Sequence, residues 1–101
     1  MTEPRRQLVI GRRLLVQMRA VEATEPLAAL LPQWLAAGVQ RRQSRQLNRL
    51  RLVLCGPTAG LLERVEALLE QFPLPDERVH VHVLPLATLL ALESAVTLGG
   101  V

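Results

Sequence analysis

Lysine and tyrosine are absent from this chain, and cysteine, aspartate, tryptophan and phenylalanine each occur once, as Cys55, Asp76, Trp34 and Phe72. A single cysteine forms no internal disulfide, so nothing in its usage argues for secretion. As a nucleophile Cys55 would need a neighbouring base, and it reads more simply as a small buried hydrophobe. The only serines are Ser44 and Ser94. Neither stands in a nucleophile turn, which leaves a Ser-His-Asp arrangement without support. The two histidines, His80 and His82, lie two apart and share one face of a strand. A metal site needs a third or fourth ligand, and the only thiol is on a different strand, so an exposed sheet face is the plainer reading. No catalytic constellation, metal set or cofactor fingerprint remains, and the expectation is a protein that is not an enzyme and carries no cofactor.

Long apolar runs are also missing. None reaches the roughly 18–20 residues of a membrane span. After Met1-Thr2-Glu3-Pro4-Arg5-Arg6 only three apolar residues precede Gly11-Arg12-Arg13, too short a stretch for the core of a signal peptide. A cytoplasmic location is the default expectation.

What is present is a chain of 101 residues, half of them hydrophobic and mostly Leu, Val and Ala. That length gives one domain, residues 1–101, with one core. The apolar fraction is high for so little interior, and large apolar patches rarely stay in water. Self-association into a homo-oligomer, or docking on a protein partner, follows as an expectation. All strong bases are arginine, which the codon usage of a GC-rich bacterial genome explains. Their distribution is uneven. Residues 1–51 hold ten arginines against three acids, a balance of +7, and residues 52–101 hold two against six, a balance of −4. The two halves can pair within a fold or between subunits.

Along the chain, Gln7 to Ile10 and Arg13 to Ala20 predict a β-hairpin around Gly11-Arg12. In the second strand Leu14, Val16, Met18 and Ala20 alternate with Arg13, Leu15, Gln17 and Arg19, a period of two that suits a half-buried antiparallel strand. Thr24 reads as the cap of a helix that buries Leu27, Leu30, Leu31, Trp34 and Leu35. Pro32 should kink that helix or delay its start, and Gly38 should end it. The polar stretch Gln40 to Asn48 either extends it or loops out. Leu50 to Cys55 is an apolar strand. Thr58 then caps an amphipathic helix with Leu61, Leu62, Val65, Leu68, Leu69 and Phe72 inward. Arg78 to Leu84 is a strand with Val79, Val81 and Val83 on one face and the histidines on the other. Ala87 to Leu98 is a last apolar helix. The order β-β-α-β-α-β-α implies an α/β fold with three helices on a small mixed sheet, built from the hairpin and two further strands.

Three places invite a binding role. The turn Cys55-Gly56-Pro57-Thr58-Ala59-Gly60 leads from strand to helix, where amides favour anions, and Thr58 is its candidate ligand contact. It lacks the Walker lysine and the G-x-G-x-x-G spacing, so a plain turn with a threonine cap is the simpler view. Arg41, Arg45 and Arg49 recur every four residues, with Arg42 and Arg51 beside them. On a helix they would form one basic stripe for an acidic partner or for nucleic acid. Both aromatics sit on apolar helix faces, which removes the stacking platforms that single strands need. Nucleic acid is therefore the lesser use of that stripe. The last helix is apolar almost all round and has to be buried, or to meet a partner or an apolar ligand.

A further pattern emerges from the hairpin around Gly11, Arg19 shortly before a helix, and the strand Leu50 to Cys55. It continues through the helix ending at Phe72-Pro73, the valine-rich strand, and the segment Leu98-Gly99-Gly100-Val101. Together these resemble the C-terminal lobe of the DegV family of fatty-acid-binding proteins, over most of this chain but only half of such a protein. The resemblance implies an acyl-chain ligand. In that family a His-Thr-Gly-Pro-Gly stretch of this lobe contacts the ligand carboxylate. The corresponding region here reads Leu92-Glu93-Ser94-Ala95-Val96-Thr97-Leu98, with no histidine or proline, and Ser94 and Thr97 are the hydroxyls that would take over.

Overall fold

Gly11 and Arg12 both sit at a φ of 61°, and the amide of Arg13 donates to the Ile10 carbonyl at 3.2 Å. This left-handed pair folds β1 (Arg6–Ile10) back on β2 (Leu14–Ala20) as an antiparallel hairpin, with Ile10 opposite Leu14 and Arg6 opposite Met18. The computed structural model describes residues 4–22, 24–57 and 59–99, with side chains in the last helix as far as residue 92. From β2 the chain passes through α1 (Leu27–Ser44) to β3 (Arg49–Gly56), which pairs parallel with β2. It then passes through α2 (Leu61–Gln71) to β4 (Val79–Pro85), parallel to β3, and ends in α3 (Leu86–Gly99). The strands lie in the order β1-β2-β3-β4. This is the mixed-sheet α/β fold and the element order that the periodicities predict.

Because the strand order advances in one direction, both crossover helices share a face of the sheet. Leu15, Leu50, Leu52, Leu54 and Val79 pack there against Leu27, Leu31, Trp34 and Leu35 of α1 and Leu61 and Val65 of α2. The opposite face carries Val16, Met18, Val53 and Cys55, which close around Leu89 of α3. Fully burying a leucine stabilises by about 1.5–3 kcal/mol. Leu15, Leu27, Leu31, Leu50, Leu52, Leu54 and Leu89 are all in that position, so the two layers are the main source of stability.

Four local expectations need correction. Strand β2 is not half-buried: Leu15 through Arg19 are all buried, because β3 lies beside it and helices cover both faces. Gln17 and Arg19, which alternation assigns to an open face, lie under α1. There Gln17 Nε2 donates to Gln7 Oε1 at 2.9 Å, and the Arg19 guanidinium stacks 5.1 Å from the centroid of the Trp34 ring. Thr24 does not cap α1, which begins after Pro26 with no side-chain cap. A carboxylate of Glu25 instead accepts from the Glu22 amide at 2.9 Å. Pro32 does not delay the start of the helix but lies inside it, and its missing bond falls opposite the exposed Ala28, where water can satisfy the carbonyl. Nor does Gly38 end it. The helix continues to Ser44, and Gly38 is the point where it lies closest to the sheet.

A Cβ on Gly38 would stand 2.7 Å from Leu50 Cδ2 and 3.1 Å from Gln17 Oε1. A Cβ on Gly56 would run into the carbonyl oxygen of Val21, at the crossing where the Val21 amide bonds the Cys55 carbonyl at 2.8 Å. Alanine in place of a mid-helix glycine ordinarily gains about 1 kcal/mol of helix propensity. Gly38→Ala should do the reverse, because Leu50 is fully buried and has no room to turn aside. A net loss of about 1–2 kcal/mol is expected in urea unfolding, within the usual range for overpacking.

Candidate functional site

The N-terminal ends of the parallel strands gather most of the arginines. The carbonyl of Arg13 accepts from the amides of Asn48 and Arg49 at 2.9 and 3.0 Å, and the Leu50 amide donates to the Arg78 carbonyl at 3.0 Å. These bonds bring the hairpin turn, the C-terminus of α1 and the starts of β3 and β4 to one end of the domain. The predicted basic stripe is therefore not a helical stripe. Arg41 and Arg42 lie in the last turn of α1, Arg45 follows it, and Arg49 and Arg51 stand on β3. The two in the helix suit its dipole, whose negative end is at the C-terminus.

Arg42 is set apart from the others by being buried. Its Nη1 and Nη2 donate to the two carboxylate oxygens of Asp76 at 3.4 and 2.9 Å, and the Arg78 amide donates to the same carboxylate at 2.7 Å. The contact clamps the end of α1 to the loop before β4. The guanidinium of Arg42 and the Arg78 amide hold the Asp76 carboxyl below the usual carboxylate range. Arg42 is thus a structural residue, and no sequence spacing marks its partner.

The arginines exposed at this end line two clefts, one on each side of the hairpin turn. One, of about 340 Å³, is bounded by Val9, Arg12, Arg45 and Leu47. The other, of about 350 Å³, is bounded by Arg13, Leu14, Asn48, Arg49 and Arg51. No acid lines either cleft. Arg12 and Arg13 were not singled out from the sequence as site residues. Their turn was legible, but its apposition to residues 45–51 depends on the pairing of β2 with β3. On the sheet face shared with Arg51 stand His80 and His82, both exposed. Partial desolvation, and then the charges of Arg51 and His80, hold His82 below the usual imidazole range. Among the described residues no group of three His, Cys, Asp or Glu side chains could hold a metal ion.

The opposite end of the strands carries Glu22, Glu25 and Glu63, with the guanidinium of Arg64 donating to the Glu25 carbonyl at 3.3 Å. Thr58, the candidate ligand contact there, lies outside the described residues. Helix α2 starts instead after Gly60, which is left-handed at a φ of 79°. Ser94 and Thr97 fall in α3, but their side chains lie outside those described. Cys55 is fully buried beneath α3, and burial pushes its thiol pKa up. No helix among the described residues is long and apolar enough to cross a membrane.

These features define a three-layered α/β/α domain with a basic end, an acidic end and one thinly covered sheet face. No family model, curated protein or solved structure matches the chain.

Two measurements follow from these contacts. The Asp76 carboxyl is held below its ordinary value near 3.8. Its contribution is therefore full above that value and lost as pH falls through the lower, folded one. Asp76→Asn should lower the urea midpoint at pH 7, and the gap from the parent protein should hold down to the ordinary carboxylate range and narrow as pH falls below it. The Cys55 thiol should resist iodoacetamide in the folded protein and react as soon as urea unfolds it, because the reactive species is the thiolate.

Proposed function

We propose that this domain is a non-catalytic interaction module that self-associates through the outer side of α3. The observation that carries the reading is the two-sided apolar character of that helix. Leu89 faces inward and is fully buried, whereas Leu86, Leu90 and Leu92 face outward at 37, 47 and 39% exposure. A helix that merely roofs a sheet presents charged or polar residues to water. Here Leu86-Ala87-Thr88-Leu89-Leu90-Ala91-Leu92 contains no charge, so its outer leucines gain stability only when something covers them.

A second copy of the chain suits the sheet edge beside it. The register of β1 with β2 puts Leu8 and Ile10 on the α3 side, and Ile10 is 55% exposed. Two β1 strands paired antiparallel about Leu8 would set Arg6 against Ile10, and Gln7 against Val9. No like charges would face each other, and the strand Arg6–Ile10 contains no proline. An acyl-chain role, the one implied by the resemblance to the DegV family, has a single observation in its favour. Leu27, Ala28, Ala67 and Leu68 line an apolar groove of about 240 Å³ between α1 and α2, with Arg64 and Gln71 beside it. It lies on the face of the sheet opposite α3.

Native mass spectrometry of gently purified protein separates these readings. Self-association predicts a bare dimer that persists on dilution to low micromolar concentration, and Leu90→Glu should convert it to a monomer with an unchanged circular dichroism spectrum. A parent protein that is monomeric at high concentration contradicts the reading. An added mass of a few hundred daltons per subunit would favour the acyl ligand instead.

A further inference from the structure

We infer that the basic end of the domain binds duplex DNA, with the hairpin turn seated in a groove and the phosphates of the two strands received in the two clefts beside it. This goes beyond the self-association reading and uses a different surface. The first observation is the arrangement. A tight turn projects from the sheet, with Arg12 and Arg45 on one side and Arg13, Asn48, Arg49 and Arg51 on the other. All of these side chains are exposed, and among the described residues no acid pairs with Arg12, Arg13, Arg45, Arg49 or Arg51. Arginines that merely balance the acids of their own fold are engaged as Arg42 is with Asp76; these five are not. Cation clusters of this kind release counterions when they meet a phosphate backbone.

The second observation is the backbone of Arg12. Its φ of 61° is a conformation that glycine or asparagine adopts with little strain, and a turn of this hand normally carries one of them. An arginine at the tip is therefore kept against the local preference of the chain. An arginine projecting from a tight turn is the kind of side chain that enters a narrow minor groove, where the potential is most negative. The ligand is narrowed further by the aromatics. Trp34 is buried on the inner face of α1 and Phe72 follows α2, and neither lines either cleft. Unpaired bases have nothing to stack on there, so the surface fits a double strand that offers phosphates on both sides of a groove.

The test is fluorescence anisotropy of the full chain with a short labelled duplex, across a salt series, alongside the single strand of the same length. Five phosphate contacts predict that affinity falls about 500-fold between roughly 50 and 200 mM salt. Arg49→Ala with Arg51→Ala should flatten the slope of log affinity against log salt by about two. Arg12→Gly separates binding from folding: its melting temperature should hold or rise as the left-handed strain is relieved, while DNA affinity drops. Arg64→Ala, at the acidic end, should leave binding unchanged. No binding at low salt would overturn the inference, as would a slope indifferent to the arginine variants. Equal affinity for the single strand would overturn the groove-seated geometry.

Discussion

The parallel pairing of β2 with β3 is the constraint on which the rest of this structure depends. It runs from Leu14 beside Arg49 to Ala20 beside Cys55 and leaves two central strands that have to be buried on both faces. One face alternates Leu50, Leu52 and Leu54, and the other shows Val53 and Cys55. Covering the first takes α1 and α2, and covering the second takes α3. The same pairing fixes where the charges go. The loop from α1 has to arrive at the start of β3 beside the hairpin turn, and in doing so it brings Arg45, Arg49 and Arg51 to Arg12 and Arg13.

The two faces of the sheet are covered unequally. Two helices close one side, with Trp34 laid over the Arg19 guanidinium and Gln17 sealed beneath Gly38. A single helix roofs the other, held by Leu89, and three of its leucines point outward. The surfaces available to partners are thus an apolar roof along the sheet and a cationic end across it. The two differ in physical kind. Association through the roof would remove apolar area from water and be insensitive to salt, whereas binding at the basic end would rest on charge and fade as salt rises.

The sequence carried the elements and their order well, because each has its own periodicity and its own breakers. The period of two along β4 correctly separates Val79, Val81 and Val83 from His80 and His82, and the amphipathic spacing of α2 holds for Leu61, Val65, Leu68 and Leu69. Leu62 and Phe72, expected inward, are exposed, because the helix stops at Gln71 and its buried stripe is narrower than the spacing suggests. What was not legible depends on neighbours distant in sequence. Gly38 looks like a helix stop until Leu50 is seen pressed against it. Gln17 and Arg19 look like solvent-facing residues until β3 and α1 enclose β2. The arginine spacing looks like a helical stripe, but α1 ends at Ser44 and the later arginines continue on a strand. Arg42 is indistinguishable from its neighbours in composition, and only the fold delivers Asp76 to it.

The claim that β3 is enclosed from both sides is tested most directly by amide hydrogen exchange followed by NMR. If both layers are closed, the amides of Leu52, Val53, Leu54 and Cys55 exchange only through global unfolding. They should then be the slowest in the chain, together with those of Val16 to Met18 in β2. Fast exchange of Val53 and Cys55 by local opening, with α1 and α2 still protected, would mean that α3 does not seal its face, and would contradict the account.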